Sequence, residues 1–220
     1  MLFDLQGKRK RVVQGTYLML AVLMGGGLVL FGIEGDVQGG LFDAFRESRT
    51  GGTDNSIVEN RIEGADRRLR ANPRDQAALK EVIRGNYQLA AQGANPDTGA
   101  FTVAGKANLR KAAAAWERYL ALDPARPDDS LGGLMVQAYV GLERYPQAAR
   151  AAEIVAAARP SAQAYLQLAQ LATQAGQARK ADLAGERALE LAPRDQRRAV
   201  RAQLKQIEAA STAQRGGVGG

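Results

Sequence analysis

The sequence predicts an all-α protein in which a helical-hairpin solenoid follows a single N-terminal transmembrane helix. Residues 129–160 and 162–193 repeat one pattern of apolar and small residues, and their closing prolines, Pro160 and Pro193, are 33 positions apart. A repeat period in the thirties is typical of stacked helical hairpins. Residues 12–33 are 22 consecutive positions without a charged side chain. At about 1.5 Å per residue, a helix of that length spans a hydrocarbon core of about 30 Å.

Small residues recur at matched positions of the two copies. Ala148 in the first copy corresponds to Ala181 in the second, and Ala152 corresponds to Gly185. Small side chains let two helices approach closely, while larger residues such as Leu183 fill the gaps. We therefore expect close helix packing at Ala148 and Ala181.

The second copy resembles the tetratricopeptide repeat (TPR) family. It contains the series Tyr165-x-x-Leu168-Ala169-x-x-Ala172, then Ala181-x-x-x-Gly185-x-x-Ala188, then Pro193, with Gly176 at the turn. The first copy has Tyr139, Tyr145, Ala148 and Pro160, but Gly132 replaces its first aromatic residue. The resemblance implies TPR-like helical hairpins, and it implies that Ala181 lies where the two helices of its hairpin cross most closely. A generic alanine-rich helical bundle is the alternative.

The N-terminal segment predicts a membrane topology. A basic run at residues 8–11 precedes the uncharged residues 12–33, and Glu34 and Asp36 follow them. Because basic flanks stay on the cytoplasmic side, we expect residues 1–11 in the cytoplasm and residues 34–220 on the extracytoplasmic side of the cell membrane. A cleaved signal peptide is the alternative, but the apolar run is longer than a usual signal-peptide core.

The rest of the chain divides into a linker, a repeat domain and a tail. Residues 34–56 form the juxtamembrane linker, in which Leu41, Phe42 and Phe45 either rest at the membrane surface or belong to the linker. The TPR-like repeat domain is predicted for residues 57–210, and residues 211–220 are predicted to be a disordered tail.

Within the repeat domain, the apolar periodicity predicts further helices outside the two copies. They are a half-unit over 57–73, a helix over 75–92, its mate over 107–123 and a last helix over 194–210 with a polar outer face. Pro73 and Pro124 are 51 positions apart, which exceeds the repeat period. The excess predicts an insertion of roughly 15 to 20 residues around Gly93 to Gly105, between the two helices of the first repeat.

Composition narrows the possible functions. The chain has no cysteine and no histidine, so it lacks thiol nucleophiles and the commonest acid–base group and metal ligand. Residues 99–107 resemble a phosphate-binding loop, but five residues separate Gly99 from Gly105 instead of four, and Ala107 stands where a hydroxyl would bind Mg²⁺. We therefore expect no enzyme activity, no cofactor and no metal site.

The charge distribution gives no nucleic-acid signature. The net charge is +7, and residues 1–33 hold four basic side chains and one acidic side chain. The excess on the rest of the chain is modest, and it is not concentrated in a basic stripe. We expect no nucleic-acid partner.

The TPR resemblance implies a concave binding face formed by the first helix of each hairpin. On that basis the candidate protein-binding residues are Lys80, Arg84, Tyr87, Gln137, Val140, Gln163, Gln170 and Gln174. The family's carboxylate clamp also uses asparagines, which the later repeats of this chain lack at the expected places. The alternative is that these side chains are simply solvated.

Two functional hypotheses follow. The first is a single-pass, membrane-anchored TPR scaffold or adaptor of the cell envelope, whose partner is an unidentified protein or peptide. The second is a structural or assembly subunit of a larger membrane protein complex, with the transmembrane helix as its main contact.

Overall fold

The computed structural model describes residues 55–96 and 98–216, with side chains described as far as residue 210. These residues form eight α-helices and no strand, which confirms the predicted all-α class. In chain order the helices are α1 (Asn55–Ala71), α2 (Gln76–Gln92), α3 (Val103–Ala121), α4 (Asp129–Gly141), α5 (Tyr145–Ala158), α6 (Ala162–Gln174), α7 (Ala178–Leu191) and α8 (Arg197–Gly216).

The predicted transmembrane helix at residues 12–33 and the linker as far as residue 54 lie outside the described residues. Within the described part of the chain, no helix has both the length and the apolar character needed to cross a membrane.

Polar side chains fix where several helices begin. Asp75 accepts a hydrogen bond from the Ala78 N–H at 2.9 Å and caps α2. Thr102, Asp128 and Ser161 cap α3, α4 and α6 in the same way, each accepting from the backbone N–H three residues later. Aspartate, serine and threonine are favoured at this position because their oxygens satisfy an N–H that has no partner within the helix.

The two copies of the sequence repeat form two hairpins of equal dimensions. Helices α4 and α6 have 13 residues each, and α5 and α7 have 14 each. The three-residue turns both place a residue with positive φ at the same repeat position, Glu143 at 59° and Gly176 at 71°. Local geometry therefore follows the 33-residue period even where the residue type changes from glycine to glutamate.

The first hairpin is longer than the others. The extra residues were predicted to lie between its helices, but part of them lengthen the helices themselves. Helices α2 and α3 have 17 and 19 residues, so each is about one turn longer than its counterpart in the later hairpins. The connection between them occupies only residues 93–102. Helix α3 begins at Val103, four residues before the predicted start, because Thr102 caps it.

That connection is folded onto the second hairpin. The Asn95 N–H donates to the Ala100 carbonyl at 2.8 Å, and the Gly99 N–H donates back to the Asn95 carbonyl at 2.8 Å. The ring of the next residue, Phe101, lies against Gly141 so closely that a Cβ on the glycine would sit 2.6 Å from it. The absence of a side chain at Gly141 thus makes room for the ring.

The main core runs through the hairpins from α1 to α7. Its largest fully enclosed side chains include Trp116, Tyr119, Tyr139 and Met135. A smaller cluster at the end joins Leu166 and Ala188 to Val200 of α8. The compact unit that contains these helices ends at Leu204, whose side chain would lie 3.1 Å from a Cβ on Gly185.

The two copies differ in how deeply they are covered. Ala148 is completely buried, but its counterpart Ala181 is only half-buried, and Leu183 is 57% exposed. Ala181 is therefore not at the tightest contact, contrary to the prediction, and Leu183 fills no gap. The reason is position in the stack: helix α5 packs extensively against both α4 and α6, whereas α7 packs extensively against α6 alone and meets α8 near Gly185.

The last helix also differs from the prediction. It begins at Arg197 instead of residue 194 and continues to Gly216, into the segment predicted to be a disordered tail. Val200 is buried and Arg201 is exposed, as the amphipathic pattern of this helix predicts.

Candidate protein-binding surface

The eight candidate residues lie on the first helices of the three hairpins, α2, α4 and α6, and we call this surface the first-helix face. On α2, Lys80, Arg84 and Tyr87 are spaced i, i+4 and i+7, so they follow one side of the helix. Gln137 and Val140 are three apart on α4. On α6, Gln170 and Gln174 follow Gln163 by seven and eleven residues, so the three again lie along one side of the helix.

The two basic candidates are paired within the fold. Lys80 Nζ lies 3.0 Å from Asp128 Oδ2, and an Arg84 guanidinium nitrogen lies 3.3 Å from the same oxygen. The Lys80 ammonium also lies 5.4 Å from the centre of the Tyr119 ring, within the range of a cation–π contact. A partner's carboxylate would therefore compete with Asp128 for these two cations.

Asp128 links three elements at this point. Its Oδ1 caps α4, its backbone N–H donates to the Tyr119 hydroxyl at 3.1 Å, and its Oδ2 accepts from α2. Burial alone would raise its pKa, but the hydrogen bond from Lys80, the Leu131 N–H and the charges of Lys80 and Arg84 together lower the pKa below its usual value. The carboxylate is thus held in its charged form where α3 leads into α4.

Tyr87 and Gln137 join α2 to α4 across the same face. The Tyr87 hydroxyl donates to Gln137 Oε1 at 2.5 Å. The tyrosine is only 7% exposed, and its burial raises the pKa of the hydroxyl to about 12. The hydroxyl therefore stays protonated at neutral pH and its role here is to hold two helices together. The Gln137 residue as a whole stays exposed.

The α6 part of the face presents amide groups. Gln163 and Gln170 are half-buried, and neither forms a hydrogen bond with the described residues. Gln174 has both amide atoms enclosed without a hydrogen-bond partner. Gln167, which the prediction omitted, is exposed and lies in the same stripe at i+4 from Gln163. Amide groups both donate and accept hydrogen bonds, so they match the requirements of a peptide backbone.

The structure divides the candidates into two sets. Lys80, Arg84, Tyr87 and Gln137 meet at the contact between α2 and α4, where Val140 is half-buried against the core. The α6 glutamines form a separate stripe, because α4 and α6 each pack against α5. The first set is largely occupied by contacts within the fold, and the second set has unused hydrogen-bonding groups.

Sequence reasoning missed Asp128 and Asn86. Asp128 is recognisable in sequence as a helix cap, but its pairing with Lys80 joins positions 48 apart, which local spacing does not reveal. Asn86 had a visible signal, since it is a polar residue at an apolar position of the α2 period, and it is only 2% exposed. In the described part of the chain, no three acidic side chains converge as a metal site would need.

Compared with protein-family models, with curated proteins and with solved structures, this chain gives no match.

Proposed function

We propose that this chain is a single-pass, membrane-anchored scaffold or adaptor of the cell envelope. Its TPR-like hairpins bind a protein or peptide partner along the first-helix face. The observation that best supports the proposal is the stripe of four glutamines on α6, three of which are half-buried without hydrogen bonds in the described fold. Such groups lose little on desolvation when a partner backbone pairs with them.

The repeated hairpin geometry supports the assignment to a TPR-like solenoid. Helices of 13 and 14 residues, three-residue turns and a positive-φ residue recur with the 33-residue period. Stacked hairpins of this kind create extended surfaces, because each unit contacts only its neighbours. The surface of α6 belongs to such an array, and the contacts between α2 and α4 do not cover it.

The uncharged residues 12–33 support the membrane anchor and also a second function. In that second function the chain is a structural or assembly subunit of a membrane complex, and the transmembrane helix is the main contact. The pairing of Lys80 and Arg84 with Asp128 favours this second function, since it leaves fewer free charges on the first-helix face.

Affinity capture from detergent-solubilised native membranes distinguishes the two functions. The Gln167→Ala, Gln170→Ala double variant of the full chain should capture less partner than the native chain, by a factor of about ten or more. The reason is that each lost hydrogen bond is worth about 1 kcal/mol. The matched control replaces exposed Arg179 and Glu186 of α7 with alanine, which also leaves the net charge unchanged.

The control should capture as much partner as the native chain. If the glutamine variant captures its partner normally and only the replacement of residues 12–33 by an unrelated span abolishes capture, then the first-helix face is not the binding surface. The second function would then account for the interaction.

A further inference from the structure

A charged groove lies on a different part of the molecule from the first-helix face. Helices α1 and α3 both pack against α2 and hardly touch one another, and the groove between them has a volume of about 600 Å³. Its floor is one side of α2, formed by Val82, Asn86 and Leu89. Because these residues are spaced i, i+4 and i+7, they follow one side of α2 along the groove.

The two walls of the groove have opposite charge. The α1 wall presents a stripe of carboxylates, Glu59, Glu63 and Asp66, and the α3 wall presents Lys111 and Arg118. Glu63 is paired with Arg67 on its own helix at 2.8 Å. Among the described residues, Glu59, Asp66, Lys111 and Arg118 form no ion pair, so the two walls are not neutralised by each other.

The floor contains a polar group that faces the groove with unused hydrogen-bonding capacity. Asn86 is only 2% exposed, and its Nδ2 donates to the Val82 carbonyl at 2.9 Å. Its Oδ1 accepts no hydrogen bond from the described residues. Because this oxygen is not fully enclosed, a side chain that enters the groove can donate a hydrogen bond to it.

We propose that this groove binds an amphipathic helix of a partner protein, with basic residues along one edge of its apolar stripe and acidic residues along the other. A partner helix in the groove packs its apolar stripe on Ile62, Val82 and Leu89, between the two charged walls. The basic edge then faces α1 and the acidic edge faces α3. The occupant's charge pattern follows from the walls, because like charges across an interface are strongly disfavoured.

Three synthetic helical peptides with the same leucine stripe test the proposal by fluorescence anisotropy on the full chain. One has lysines on one edge and glutamates on the other, the second has lysines on both edges and the third has glutamates on both. The native chain should bind the mixed peptide at least about tenfold more tightly than either of the others. Reversing the direction of the mixed peptide in the groove exchanges its edges, so a single mixed peptide suffices.

A double variant, Lys111→Glu with Arg118→Glu, should gain affinity for the peptide with lysines on both edges. Unfolding of the variant cannot produce such a gain. Both walls become acidic, so the preference should move to the peptide with lysines on both edges. The matched control is Arg74→Glu with Arg110→Glu, which changes the net charge equally at exposed positions outside the groove. It should keep the native order of affinities.

Equal binding of the three peptides to the native chain would overturn the proposal, as would an unchanged order of affinities in the Lys111, Arg118 variant. If no peptide binds, the proposal is also overturned. A photocrosslinker at position 111 that then captured residues 1–54 of the same chain would assign the groove to an internal segment. The result does not depend on the first-helix face, so it leaves the proposed function untouched.

Discussion

Asp128 shows how much one side chain determines in this fold. Its two carboxylate oxygens are used in different directions, one to cap α4 and one to accept from Lys80 and Arg84 of α2. Its side chain is 17% exposed, so water screens these contacts less than it would on an open surface. The residue therefore stabilises the contact between the first and second hairpins as well as the start of a helix.

Replacing Asp128 separates these two roles. Asp128→Ala should lower the free energy of unfolding by about 1–2 kcal/mol, because it removes the cap and both ion pairs. Asp128→Asn keeps a capping oxygen and loses only the charge, so it should cost less. Urea melts of the two variants at neutral pH measure the difference, and equal losses would mean that the cap adds nothing.

The lowered pKa of Asp128 also predicts a pH dependence. Above the usual aspartate pKa of about 4, the carboxylate is charged in both the folded and the unfolded chain, and its full contribution is present. As the pH falls towards the folded-state pKa, the unfolded chain takes up a proton first and the contribution is lost. The stability difference between the native chain and Asp128→Asn should therefore shrink from pH 6 to about pH 3. A constant difference would contradict this.

Burial distinguishes the two equivalent alanines of the repeat. Ala148→Leu should destabilise the fold by about 1–3 kcal/mol, because the position is fully enclosed and extra carbons force strain. Ala181→Leu should cost less, since Ala181 is half-buried. Thermal melts rank the two, with Ala157→Leu on the exposed side of α5 as the matched control. If Ala181→Leu proved the more damaging, the assignment of the tight contact to α5 would be wrong.

At the scale of elements, the connection from α2 to α3 meets the second hairpin through the Phe101 ring, which packs against Gly141. Phe101 contacts Gly141 at the end of α4 and also lies near Leu109, so it joins the connection to the second hairpin. The fit is specific in shape, since any Cβ at position 141 meets the ring. This contact fixes the end of the connection against the second hairpin.

A double-mutant cycle tests this contact. Gly141→Ala alone should destabilise the fold, because the new methyl group displaces the Phe101 ring. In a Phe101→Ala background the same change should be neutral, or should stabilise by up to about 1 kcal/mol through the better helix propensity of alanine. Additive effects of the two substitutions would show that the ring and the glycine are not in contact.

Sequence reasoning predicted the elements better than their contacts. The 33-residue period placed α4 to α7 correctly because small residues, turns and prolines all recur with it. The period did not predict the layout of the first hairpin, because its extra residues are divided between two longer helices and a connection. The spacing of Pro73 and Pro124 gives only the total number of extra residues. The candidate site was predicted from the resemblance to TPR hairpins, which does not reveal that Lys80 and Arg84 are already paired with Asp128.

At the scale of the whole molecule, the two proposed surfaces lie on different sets of helices. The first-helix face lies on α2, α4 and α6. The charged groove has α1 and α3 as its walls and a different side of α2 as its floor. If both proposals hold, the chain binds one partner on each surface and brings the two together. Anchoring by residues 12–33 would hold that assembly at the membrane.

The basic run at residues 8–11 predicts which side of the membrane the assembly occupies. Protease added outside intact spheroplasts should digest the hairpins, because the positive-inside bias places residues 34–220 outside. A tag on residues 1–11 should be protected until the membrane is lysed. Full protection of the hairpins in intact spheroplasts, with digestion only after lysis, would reverse the topology.

The most direct test of the central claim, that partners bind the first-helix face, is site-specific photocrosslinking in native membranes. A photoreactive residue at Gln167 or Gln170 of α6 should form adducts with a protein partner, whereas the same residue at the exposed positions Arg179 or Asp182 of α7 should form none. Adducts of equal yield from both helices, or adducts only from positions within residues 12–33, would contradict the claim.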